Sequence, residues 1–126
     1  MRVKVVLLFM AFLLLAPRVD AFIVINEILA DPAGDITGDA SGDGVRSGSH
    51  DEFIEMVNLS DAVIDLSNLY LNDGVSTRHI FSVNTFINPY SYLVVFGGDS
   101  VELPGVDWQV ALLFGLGLNN IGDTVT

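Results

Sequence analysis

No cysteine occurs among the 126 residues. That absence excludes disulfides and the lipid-modified leader of a lipoprotein. An exported domain of this kind is held by packing or by bound ions. Histidine is nearly absent as well. A zinc site draws three or four ligands from cysteine, histidine and carboxylates, and only His50 and His79 are on offer. Beside Asp51, His50 reads as a solvated loop residue, and His79 as a strand residue facing solvent or a neighbour. Basic residues are the third scarcity. There are five, of which Arg2, Lys4 and Arg18 lie in the first 21 positions. The remainder carries Arg46 and Arg78 against fifteen carboxylates, a formal charge of −13. Phosphate recognition needs clustered lysine and arginine, so direct nucleic-acid binding and attraction to anionic lipid are both disfavoured. Divalent cations or basic partner surfaces are favoured. Beyond the first 21 residues there is no sustained 3.6-residue periodicity, which argues against a helical domain.

What is present starts with a leader. Arg2 and Lys4 precede an unbroken apolar run over residues 5–16, Pro17 ends it, and Val19-Asp20-Ala21 offers small or β-branched residues at the −3 and −1 positions. This is the pattern of a helical signal peptide spanning residues 1–21. The run is shorter than the roughly 20 residues that cross a bilayer, so no transmembrane segment is expected after cleavage. The alternative is an uncleaved N-terminal anchor.

The rest reads as one all-β domain, residues 22–126. Short runs rich in β-branched and aromatic residues alternate with turn signals at spacings of roughly 8–12 residues. Residues 22–29 form the first run. Phe53, Glu55 and Val57 alternate with Ile54 and Met56 in the second. Residues 63–66, 69–71, 78–81 and 85–87 are shorter candidates, with Asn72-Asp73-Gly74 as a hairpin turn needing positive φ at its end. Tyr92-Leu93-Val94-Val95-Phe96 has no charged residue and reads as a central strand covered on both faces. Residues 106–114 are apolar around Trp108, and residues 123–126 begin another strand. Phe53, Leu66, Val94, Phe96 and Trp108 are the expected core.

Several of these pieces occur in a specific order. They are Val24-Ile25-Asn26-Glu27-Ile28, Asp31-Pro32, Asp51-Glu52-Phe53-Ile54-Glu55-Met56-Val57-Asn58, Ile64-Asp65-Leu66-Ser67, Leu71-Asn72-Asp73-Gly74, Leu93-Val94-Val95-Phe96-Gly97, and Leu118-Asn119-Asn120 with Gly122-Asp123-Thr124-Val125. The ordered set resembles the lamin-tail domain in its bacterial, secreted form. The resemblance implies an immunoglobulin-like β-sandwich without catalytic function, similar to modules that attach secreted nucleases, proteases and cell-surface proteins. The chromatin-binding role of nuclear lamin tails does not carry over to so acidic a chain. Family members usually continue past the aspartate-threonine-valine strand, so the resemblance also implies truncation at the C-terminus.

Residues 30–51 form a loop of glycine, aspartate and serine, long for a compact domain and therefore functional, ion-stabilised or disordered. Asp39, Ser41 and Asp43 have the alternate spacing of a calcium loop, with Gly44 at its sixth position. The twelfth position, normally a bidentate glutamate, is His50, followed by Asp51 and Glu52. Asp35, Asp39, Ser41, Asp43, Asp51 and Glu52 are the candidate Ca²⁺ ligands, and no other cofactor is implied. A flexible polar loop is the competing reading. Glu27 and Glu55 fall in apolar strands and read as outward-facing carboxylates. No nucleophile motif accompanies the histidines. Asn58-Leu59-Ser60 is a glycosylation sequon of little weight here.

Three functions fit: a secreted binding or adhesive module for a cell surface, extracellular polymer or protein partner; a Ca²⁺-stabilised structural module; or the N-terminal part of a larger exported enzyme such as a nuclease or protease. Export with cleavage after Ala21 predicts that N-terminal sequencing of secreted protein starts at Phe22. Soluble cytoplasmic protein carrying an intact leader would refute it.

Overall fold

The computed structural model describes residues 22–98, 101–113 and 115–126, and the expected signal peptide lies outside them. Eight strands occur in the described residues: β1 (Ile23–Leu29), β2 (Phe53–Asn58), β3 (Ile64–Asp65), β4 (Tyr70–Asn72), β5 (Thr77–Ile80), β6 (Phe86–Ile87), β7 (Tyr92–Phe96) and β8 (Trp108–Val110). Among the described residues the one helical element is a single 3₁₀ turn, Ile36–Gly38. The main sheet has the order β1-β2-β7-β8, with β8 parallel to β7 and the other neighbours antiparallel. Two short ladders, β3-β6 and β4-β5, form the rest. The architecture is an immunoglobulin-like β-sandwich, as the family resemblance implied.

Side-chain alternation assigns the faces. Ile54 and Met56 of β2 lie beside Val95 and Leu93 of β7. They pack with Ile64, Leu66, Leu71, Phe81, Ile87, Leu116 and Leu118 into the main core. The other face of β7 presents Val94 and Phe96, which join Val101 in a second cluster sealed by Ala40, Phe53, Leu103 and Val110. From Leu93 to Phe96 the uncharged run is thus covered on both sides, as expected, whereas Tyr92 at its start is exposed. The rings of Phe53 and Phe96 meet at 5.7 Å between centroids.

Two expectations are corrected. Trp108 is no core residue, being 41 % exposed. It sits opposite Val94 on an end strand of the sheet. The turn after β4 needs no positive φ at Gly74. Instead the Asp73 carboxylate accepts from the backbone N–H groups of Val75 and Ser76, so the side chain fixes the turn.

The sequon asparagine has a structural task. Asn58 is fully buried. Its Nδ2 donates to the carbonyls of Ala62, Ile87 and Asn88, and its Oδ1 accepts from Ser60. It ties the β2–β3 turn to the β6–β7 turn, with its amide nitrogen closed to a glycan. Gly97 permits another close approach. A Cβ there would fall 1.9 Å from the Ser49 carbonyl oxygen, and the glycine lets residues 49–52 lie across the end of β7.

Phe96, 1 % exposed, anchors the second cluster. Phe96→Ala should cost about 3–5 kcal/mol in urea unfolding. A neutral substitution would contradict the two-sided burial of β7.

Candidate functional site

The acidic loop is built on its own hydrogen bonds. Asp35 caps the 3₁₀ turn through Thr37. Asp39 accepts from Ser41 Oγ and from the N–H groups of Gly42 and Gly44. Asp43 accepts from Val45 N–H. Arg46 reaches back to the carbonyls of Pro32 and Ala33. Asp51, fully buried, accepts from Ser41 N–H at 3.0 Å and Ser47 N–H at 2.6 Å. Burial alone would raise its pKa. These N–H donors and the Ser41 hydroxyl outweigh that and hold it below the usual carboxylate value.

Of the six candidate calcium ligands, the loop brings Asp39, Ser41 and Asp51 together. Asp35 and Asp43 are turned to local amides. Glu52 points elsewhere, its Oε2 accepting from Leu118 N–H, 66 residues along the chain. Among the described residues no group of three or more histidines or carboxylates is placed to hold a metal ion. Burial raises the Glu52 pKa, and the N–H groups of Leu118 and Gly117 and the Arg78 guanidinium partly offset it. Arg78 itself is paired with Asp73. Burial works against ionisation of Asp73, but Ser76 N–H, Arg78 and Val75 N–H lower its pKa overall.

His79 faces a neighbour and not solvent. It is 2 % exposed, stacks edge-on to Phe81 and meets Gln109 Oε1 at 2.7 Å through Nε2. Gln109 Nε2 donates to Thr85 Oγ1, which donates to the Ser82 carbonyl. That chain fits a neutral ring with its proton on Nε2. Burial lowers its pKa, with the Gln109 bond opposing.

The outer face of the main sheet is different in kind. One half is closed by the second cluster. The other half is open, and a cleft of about 280 Å³ is lined by Glu55, Tyr90, Ser91, Tyr92, Gly105, Val106 and Asp107. Tyr90 is 67 % exposed and Tyr92 49 % exposed, and Trp108 lies on the same face. Tyr90 has φ +55°, an unfavourable backbone for a bulky side chain, held in the turn that Ser91 N–H closes onto the Asn88 carbonyl. A second groove of about 170 Å³ runs between β1 and β4 and is lined mainly by Ile23, Ile25, Met56, Leu69, Tyr70 and Phe81.

The family model for the Lamin Tail Domain matches residues 18–126. The chain belongs to the lamin tail domain family. The family is one of immunoglobulin-like sandwiches, generally of the protein-interaction type. Comparison with curated proteins and with solved structures gives no match. In this lamin tail domain, Tyr90, Tyr92 and Asp107 were not singled out as site residues in the sequence, and Trp108 was expected in the core. The available signal was the pair of tyrosines flanking a turn at the mouth of a central strand.

Asp51 generates a test. Asparagine has one acceptor oxygen, so Asp51→Asn sets an amide against the N–H of Ser41 or Ser47. A loss of about 2–3 kcal/mol is expected at neutral pH. The folded pKa lies below the unfolded one, so the stabilisation is full above the unfolded value and is lost as pH falls through the folded value. Glu52, with a raised pKa, has the opposite sign: its contribution is full below the unfolded value and lost as pH rises through the folded one. Urea unfolding should therefore show the gap between wild type and Asp51→Asn narrowing at strongly acid pH. An unchanged gap would contradict the ionised role of Asp51.

Proposed function

We propose that this lamin tail domain is an exported, non-catalytic binding module that attaches to a cell surface, an extracellular polymer or a protein partner. Its contact surface is the open half of the outer sheet face. The observation that carries the reading is the unequal covering of that face. Ala40, Val101 and Leu103 seal the part around Phe96, while Tyr90, Tyr92, Val106 and Trp108 are left in solvent around a cleft. A contiguous exposed aromatic patch with a polar rim is the usual mark of an interaction site. The leader-like residues 1–21 and the acidic composition support an extracellular setting. The same surface serves equally if the module is the N-terminal part of a larger exported enzyme.

The acidic loop enters this reading as structure, held by its own hydrogen bonds. A calcium-stabilised loop is the rival. Melting in millimolar Ca²⁺ and in chelator separates them, because about 1 kcal/mol of ion binding would raise Tm by about 4–8 °C.

The test is retention of the secreted protein on the envelope and extracellular matrix of its own cells. Tyr90→Ala combined with Tyr92→Ala should abolish retention and leave the melting temperature within a few degrees of wild type. Equal retention of both proteins would move the contact surface elsewhere.

A further inference from the structure

The cleft carries charge as well as aromatic surface, and all of it has one sign. Strand order places Glu55 of β2 and Asp107, just before β8, on the two flanks of β7. That is a span of roughly 10 Å at the usual strand spacing. Glu27 of β1 is the direct cross-strand partner of Glu55. Like charges in that position repel. The bulge at Ile25/Glu27 sets this register, and beside it Asn26 Nδ2 donates to Glu55 Oε1 at 2.6 Å.

No cation of the described chain answers these carboxylates. Arg46 is bonded to the carbonyls of Pro32 and Ala33, and Arg78 to Asp73. Residues 22–126 hold no other arginine and no lysine. An anionic polymer is repelled by such a site. A neutral sugar would stack on the tyrosines and leave the carboxylates without a counter-charge. A cation satisfies both features at once, lying over a tyrosine face and within reach of a carboxylate.

We propose that the cleft takes a lysine or arginine side chain from an extended basic segment of a partner protein. The inference rests on the reading of this cleft as the contact surface, and it names the partner's chemistry. Tyr90 and Tyr92 supply the aromatic walls, Glu55 and Asp107 the charge, and Glu27 deepens the field at the β1 side.

Trp108 is the single tryptophan of the chain and lies in the same cross-strand row as Glu55 and Val94. Its emission reports on the site. The titrant is an unstructured peptide of alternating lysine and glycine. Comparison titrants are the same peptide with acetylated lysines, spermine, and a neutral glucan oligosaccharide. The lysine peptide should shift the Trp108 emission saturably and bind more weakly as salt rises. Acetylation, or Glu55→Gln with Asp107→Asn, should weaken it about tenfold. Asp31→Asn with Asp65→Asn makes the same change in net charge at exposed positions that do not line the cleft and should leave the affinity unchanged. Equal loss in that control, equal binding of the acetylated peptide, tighter binding of the glucan, or no lysine-peptide binding would each overturn the proposal. Spermine binding as tightly as the peptide would overturn the protein source. If Glu55→Gln does not fold, Asp107→Asn alone decides, with about a threefold loss expected. Loss of cellular retention in the tyrosine variant without any lysine-peptide binding would leave the contact surface standing and remove this inference alone.

Discussion

Strand β7 has to be dry on both sides from Leu93 to Phe96, and the rest of the molecule follows from how that is arranged. Leu93 and Val95 are covered by the opposing ladders of the sandwich. Val94 and Phe96 face outward, where an immunoglobulin-like sheet ordinarily meets water. Beside Phe53 and Val110 of the same sheet, their cover comes from chain that belongs to no sheet: Ala40 from the acidic loop, and Val101 and Leu103 from the connection to β8. That cover reaches only part of the face. The loop therefore has a packing reason for its length, and the uncovered part is where the exposed tyrosines stand.

A cysteine-free domain fastens such loops by other means. Here carboxylates, two of them buried, accept backbone N–H groups from other segments. Asp51 holds residues 41 and 47, Glu52 holds residue 118, and Asp123 holds residues 74 and 119. Each is a charge-assisted bond, stronger than a neutral one. Adjacent positions Asp51 and Glu52 serve opposite directions because side chains alternate where a strand begins. Much of the acidity that looks like solubility or ion binding in the sequence is consumed by this internal work. The carboxylates lining the cleft hold no backbone N–H group in this way, Glu55 accepting only from the Asn26 side chain among the described residues' bonds.

The strands were legible because alternation and turn chemistry are local. The double burial of β7 was legible because residues 92–96 include no charge. Trp108 was misread for a physical reason: an aromatic in an apolar run looks the same in a central strand and in an end strand, and only the non-local order β1-β2-β7-β8 tells them apart. The partner of Glu52 lies 66 residues away, which spacing does not show. His79 was left between solvent and a neighbour, and the choice depended on Gln109 arriving from β8. Tyr90 and Tyr92 read as turn and strand residues because their convergence with Asp107 is made by the parallel β7–β8 pairing.

In the proposed function the half-open sheet face, and no other surface, meets the partner. Residue-by-residue amide chemical shifts of the labelled domain, followed through a titration with the lysine–glycine peptide, test it most directly. Saturable shifts confined to residues 55, 90–92 and 105–108 are expected. Shifts concentrated instead in residues 35–52, or along the groove between β1 and β4, would contradict it.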